Sequence, residues 1–202
     1  MARQREFDER EVIDRAMDTF WVHGFRATTP AMLVDATGLS KSSLYATFSS
    51  KRGLFHAALD RYLELQVAMM GPMLEGLSLR AGLERVYATM VSMATSETPR
   101  SCLVCSSSME LPEDDADSLA RVAAGHAQMR ALFAARFARA QREGELAADA
   151  DPEALASYLV SANMGLQVTA RANPDPALLR QVADHILSSL PLLEPSDPTP
   201  TR

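Results

Sequence analysis

The run from Thr28 to Phe55, TTPAMLVDATGLSKSSLYATFSSKRGLF, constrains this chain more than any other stretch. Thr29 stands before Pro30. A hydroxyl caps free backbone N–H groups and proline suits the first helical position, so a helix is predicted to begin there. Met32, Leu33 and Ala36 give it a short apolar face. Thr37-Gly38-Leu39 breaks it, with Gly38 supplying the left-handed geometry of a tight turn. Ser40 is predicted to open a second short helix, Lys41 to Phe48, burying Leu44 and Phe48 at i, i+4. Its other face carries Lys41, Ser42, Ser43 and Thr47, small or cationic groups that donate hydrogen bonds. Two short helices joined by a glycine turn form a helix-turn-helix, whose second helix enters the DNA major groove.

The pattern G-L-S-K-S-S-L-Y-x-x-F-x-S-K-x-x-L-F, Gly38 to Phe55, closely resembles the DNA-binding domain of the TetR family of bacterial transcriptional regulators. The preceding helix, expected from Phe7 to Gly24, has that family's ending in Phe20, Gly24 and Phe25. The resemblance covers about the first 60 residues; beyond them only the helical layout and length match. It implies a ligand-responsive regulator, a repressor rather than an activator, that binds double-stranded DNA at an inverted-repeat operator as a homodimer. The implied DNA-binding residues are Thr29, Lys41, Ser42, Ser43, Tyr45, Thr47 and Lys51. Lys41, Ser42 and Ser43 are expected at base edges; Thr29, Tyr45 and Lys51 are expected to hold phosphates. The pattern departs at Ala31, where many relatives carry arginine, which removes one expected backbone contact.

A net charge of −6 looks unsuited to DNA until it is divided by region. Residues 1–56 hold eight Lys/Arg against seven Asp/Glu, and the remainder twelve against nineteen. Binding should therefore rest on a few well-placed cations rather than a broad basic surface. At 202 residues, with 47% hydrophobic and 23% charged residues, the chain is an ordinary globular sequence with a sizeable core. No apolar run approaches the ~20 residues that span a bilayer, and no leader is evident, so no membrane partner and a cytoplasmic location are expected. Two cysteines agree with a reducing compartment.

Residues 1–6 form a polar arm whose Arg3 and Arg5 are either a disordered start or a contact to phosphate or minor groove. Val12, Ile13, Ala16, Met17, Phe20 and Trp21 then line one helical face that holds the helix-turn-helix. A fourth helix starts at Ser49-Ser50-Lys51, where free N–H groups and the lysine attract anions, and Gly71-Pro72 is expected to kink or end it. Another is expected from Leu77 to about Ser96. The uncharged segment SCLVCSSSMEL follows, then a long helix from about Glu113 to Glu143 closed by Gly144. Asp151-Pro152 and Asp175-Pro176 each read as a cap followed by proline, opening two last helices.

The fold expected is all-α. A three-helix head over 1–53 carries the helix-turn-helix; a larger helical domain over 54–190 binds ligand and dimerises; a proline-rich tail over 191–202 is disordered. The apolar faces of the last two helices could complete a monomer core. The resemblance instead implies a four-helix dimer interface that includes Tyr158, Ala162, Gly165, Leu166, Leu179, Val182 and Ile186. It also implies an apolar effector pocket, for which the inward stripes offer Tyr87, Met90, Cys102, Met109, His126, Met129 and Phe133 as walls for a small organic molecule.

Catalysis finds little support. There is no phosphate-cradling glycine loop, no H-E-x-x-H and no G-x-S-x-G, so no enzyme is expected. His23, His56, His126 and His185 are scattered without metal-ligand spacing, and neither metal nor cofactor is expected. Cys102 and Cys105 form C-x-x-C, but zinc would need two further ligands and a thioredoxin-like role a strand–helix context. Two readings stay open beside ligand sensing: these thiols as a sensor of oxidants or electrophiles, and a helical adaptor that no longer binds DNA.

Overall fold

A computed structural model describes residues 7–98, 100 and 102–193. The expectations for Arg3 and Arg5, and for the tail from residue 194 onward, lie outside the described residues. Those residues form nine helices: α1 (Glu9–Ala27), α2 (Pro30–Thr37), α3 (Lys41–Phe48), α4 (Lys51–Leu74), α5 (Leu79–Ala94), α6 (Leu103–Glu110), α7 (Ala116–Arg142), α8 (Pro152–Ala172) and α9 (Pro176–Ser188). The all-α class holds, and among the described residues the only extended pairing is an isolated bridge between Leu146 and Leu192. That bridge, with the Leu193 N–H donating to the Glu145 carbonyl at 2.9 Å, anchors residues 191–193, the first part of the expected tail.

The helix starts follow local chemistry. Asp8, Thr29, Ser40, Ser78, Asp151 and Asp175 each accept from a backbone N–H of the first turn, the groups that no intrahelical carbonyl can reach. Pro72 does not end α4 at once. It sits inside the last turn, and the helix runs to Leu74. The acidic run Glu113-Asp114-Asp115 precedes α7 rather than opening it; Asp115 is buried and its Oδ1 accepts the Ser118 N–H at 3.3 Å.

The described residues divide into two compact units, residues 7–66 with 100 and 102–125, and residues 67–98 with 126–193. The first unit has a core of Phe20, Leu33, Leu44, Leu54, Phe55 and Leu59, to which Leu103 and Val104 of α6, Leu111, and Val122 of α7 also belong. The unit holding the helix-turn-helix thus takes in α6 and the first part of α7. Phe20 and Phe55 meet edge-on at 5.1 Å and Phe25 lies 4.6 Å from Phe55, an aromatic cluster that joins α1 to α4.

The second unit packs α5, the later part of α7, α8 and α9 around Leu79, Leu83, Tyr87, Phe133, Phe137, Leu159 and Leu179. One guanidinium is enclosed within it. Arg136 donates to the carbonyls of Leu74 (3.3 Å) and Leu77 (3.1 Å) and to Glu145 Oε2 (3.1 Å), so its charge is paired where it is buried.

Candidate nucleic-acid interface

Thr29 Oγ1 accepts the Met32 N–H at 3.3 Å, and the Thr29 N–H returns to Met32 Sδ at 3.4 Å, a reciprocal cap with sulfur in the acceptor's place. Gly38 ends α2 at φ +70°. Ser40 then starts α3: its Oγ takes the Ser43 N–H at 3.1 Å and lies 2.9 Å from the hydroxyls of both Ser42 and Ser43. With Leu44 and Phe48 committed to the core, Lys41, Ser42, Ala46 and Thr47 are left exposed, and Ser43 and Tyr45 are half-buried. Thr47 Oγ1 donates to the Ser43 carbonyl at 3.1 Å, and Lys41 Nζ stands 5.9 Å from the Tyr45 ring. Between α2 and α3 lies an open groove of ≈ 550 Å³ lined by Pro30, Ala31, Val34, Asp35 and Lys41. Among the expected DNA-binding residues, Lys41, Ser42, Ser43, Tyr45 and Thr47 therefore share one short helix, with Thr29 at the start of its partner.

The step from α3 to α4 is tight. Ser49 adopts φ +65°, the Ser50 N–H donates to the Phe48 carbonyl at 2.7 Å, and Ser50 Oγ accepts the Gly53 N–H at 3.1 Å. A Cβ on Gly53 would meet the Phe48 carbonyl oxygen far inside the 3.0 Å floor for such contacts, so only glycine fits there. This turn delivers Lys51, which is half-buried with Nζ 4.6 Å above the Phe25 ring. Burial lowers the Lys51 pKa, and the Glu110 carboxylate works against that. The composition around Lys51 signalled neither Phe25 nor Glu110, because both arrive through packing.

Glu110, the last residue of α6, reaches the end of α1. Its Oε2 accepts the Arg26 N–H at 3.4 Å, and its carboxylate fills the space where a side chain on Gly24 would stand. Gly24 itself has φ +77° and ψ +167°, interrupting α1. At the other end of α6, Arg100 donates to Asp18 at 2.8 Å and lies 4.8 Å above Trp21, which in turn meets Tyr62 edge-on at 5.0 Å. Cys102, at the cap of α6, receives a long contact from Gln66 Nε2 at 3.8 Å. Cys105 is buried, and burial raises its pKa to about 11. His56 Nε2 pairs with the buried Ser118 hydroxyl at 2.7 Å. Among the described residues no group of three or more His, Cys, Asp or Glu could hold a metal ion.

The expected effector residues do not gather in one place. Tyr87, Met129 and Phe133 are buried in the second unit, where Met90 and His126 are partly buried, whereas Cys102 and Met109 belong to the first unit and Met109 is exposed. A cleft of ≈ 10 Å³, one water in size, opens in the second unit among Met90, Val91, Ala94, Leu166, Gln167, Ala170 and Leu179. Near it on α8, Asn163 Oδ1 accepts the Tyr87 hydroxyl at 2.7 Å. Of the expected interface residues, Leu166, Leu179 and Ile186 are buried within the same unit, and Ala162 and Val182 are partly buried. The exposed stripe of α8 is Tyr158, Ser161, Gly165 and Val168, spaced i, i+3, i+7, i+10.

Two family models match the chain: bacterial regulatory proteins, tetR family, over residues 12–58, and the tetracyclin repressor-like C-terminal domain over residues 79–186. The HTH-type transcriptional repressor ComR of Escherichia coli is 32% identical over 194 residues, covering 95% of this chain and 92% of ComR. The regulator YezE of Bacillus subtilis is 29% identical over 96% of this chain and the whole of YezE. Among solved structures, a cysteine mutant of the TetR family regulator CifR complexed with 26-base-pair double-strand operator DNA is similar at a TM-score of 0.84 and 33% identity, covering 94% of this chain and 100% of that one.

Proposed function

The chain belongs to the TetR family of DNA-binding transcriptional regulators, which are not enzymes, and from that premise we propose that it is a cytoplasmic homodimeric repressor released from an inverted-repeat operator by a small organic molecule. The observation that carries the DNA reading is α3, whose apolar residues Leu44 and Phe48 are spent on the core while Lys41, Ser42 and Thr47 are exposed. Lys41, Ser42 and Ser43 read base edges, and Thr29, Tyr45 and Lys51 hold phosphates. That CifR binds a 26-base-pair operator and ComR is a repressor supports both the ligand and the sign of regulation.

Dimerisation is assigned to the exposed stripe Tyr158, Ser161, Gly165 and Val168, small enough at its centre for close helix approach and apolar at its ends. The effector reading places a largely uncharged molecule in the second unit, which requires the water-sized cleft by Met90 and Gln167 to open, with the nearby Tyr87–Asn163 pair offering hydrogen bonds. Release requires that the molecule bind the DNA-free conformation more tightly.

A second reading has thiol chemistry as the trigger. The half-buried Cys102, three residues before Cys105, speaks for it, while the burial and raised pKa of Cys105 speak against a reactive pair. A Cys102→Ser, Cys105→Ser variant separates the two. It keeps its response to an organic inducer if the pocket is the sensor, and loses all response with its fold intact if the thiols are. The DNA reading is tested by selection from a random duplex pool: an enriched inverted repeat is expected, and a pool without enrichment refutes it.

A further inference from the structure

One side of α4 meets the start of α7 in three polar contacts. Arg52, His56 and Asp60, spaced four apart on α4, face Asp115, Ser118 and Arg121, spaced three apart, within the same unit. Arg52 Nε lies 3.1 Å from Asp115 Oδ2, His56 Nε2 lies 2.7 Å from Ser118 Oγ, and Arg121 pairs with Asp60. The first of these contacts is uneven. The Asp115 side chain is 1% exposed and that of Arg52 is 55% exposed. Asp115 Oδ1 accepts the Ser118 N–H at 3.3 Å, while Oδ2 is buried without a hydrogen bond, so its charge is answered by the ion pair with Arg52. A carboxylate taken out of water must be paired, and an arginine cannot lose its proton to escape the pairing. The buried acid therefore anchors a cation whose larger part remains in solvent.

We propose that Arg52 is a second phosphate contact at the start of α4 and that the buried Asp115 positions it for DNA. The proposal rests on the reading of Lys51 as a phosphate contact and deepens that site. Arg52 is the next residue, and the Ser49–Ser50 turn that delivers Lys51 after α3 delivers it too. Its guanidinium is a planar fork that bonds phosphate oxygens in pairs, and an anchor at Nε fixes the direction in which the fork points. Fixing a long side chain before DNA arrives reduces the freedom lost on binding. With eight Lys/Arg against seven Asp/Glu in residues 1–56, one more oriented cation is a large addition to the binding charge. The sign of one effect separates this role from a merely structural ion pair. Deleting an acid beside a polyanion strengthens binding through the field alone. Asp115 acts through Arg52, so its deletion weakens binding instead, and only while Arg52 is present.

The test is a double-mutant cycle on the full-length protein with its selected operator duplex, read by fluorescence anisotropy at several salt concentrations and accompanied by thermal melts. Arg52→Gln is expected to weaken binding roughly tenfold and to flatten the salt dependence by about one ion, and Arg52→Lys should restore that dependence. Asp115→Asn keeps an acceptor for the Ser118 N–H and is expected to weaken binding about threefold. Arg52→Gln combined with Asp115→Asn leaves no buried charge unpaired, so it keeps the fold where Arg52→Gln alone does not, and it should bind with the same flattened salt dependence. Wild-type affinity and salt dependence in that double variant overturn the role of Arg52. Tighter binding by Asp115→Asn overturns the positioning role of Asp115. Lys51→Ala serves as the control. If it weakens binding while the Arg52 variants do not, the proposal fails and the phosphate reading of Lys51 stands; if all of them bind as the wild type does, both fail.

Discussion

Replacing Gly53 by alanine separates a local expectation from one set by the fold. Helix propensity alone favours the change, because alanine inside a helix is better than glycine by up to about 1 kcal/mol. The structure reverses that sign. The new methyl would stand 3.2 Å from the Phe48 carbonyl carbon and far inside contact with its oxygen, and the obstacle is backbone that no rotamer change can move. The end of α3 or the start of α4 must shift. Overpacking of this kind costs about 1–3 kcal/mol, and against backbone the upper part of that range applies, which leaves a net loss of up to about 2 kcal/mol after the propensity gain. For a chain of this size a loss of about 2 kcal/mol lowers the melting temperature by about 4–8 °C. The shift also moves Lys51 relative to α3, and a displaced phosphate contact is expected to cost about tenfold in operator affinity. Calorimetry gives the first quantity and anisotropy titration on operator DNA the second. A Gly53→Ala protein that melts higher and binds DNA as the wild type does would refute the reasoning.

Other perturbations follow from named contacts. Arg136→Met strands Glu145 and the carbonyls of Leu74 and Leu77, and urea titration should show a loss of about 3–5 kcal/mol. His56 has its pKa lowered by burial and then by Arg121, against the pull of Asp115, Asp117 and Asp60. The unfolded chain therefore takes up that proton first, and stability falls as the pH drops below the unfolded value of about 6.5. The fall in urea midpoint between pH 7.5 and 5.5 should shrink in His56→Gln. Val168→Asp places a charge on the exposed stripe of α8 while leaving the core alone, so sedimentation should show monomer with an unchanged helical spectrum.

What was legible in the chain was what is decided locally. Thr29, Ser40, Asp151 and Asp175 mark helix starts because capping needs only a side chain and the next three residues, and Gly38 marks a turn because its φ is +70°. Amphipathic stripes told which side of a helix is buried but not against what. Leu166, Leu179 and Ile186 thus lie in the core of their own unit, and α6 joins the core beneath the helix-turn-helix through Leu103 and Val104. Met109 is exposed because α6 turns Val104, Cys105 and Ser106 inward instead. Lys51 was recognisable from its motif, yet its neighbours Phe25 and Glu110 come from distant parts of the chain, and no spacing rule reaches so far.

Hydroxyl-radical footprinting on the enriched duplex tests the central claim most directly, with wild-type protein and Lys41→Ala compared at equal salt. Two protected patches related by a two-fold axis are expected, one for each copy of α3, with Lys41→Ala losing preference at the same base in both half-sites. Protection of a single half-site, or protection and base preference unchanged in Lys41→Ala, would contradict the account.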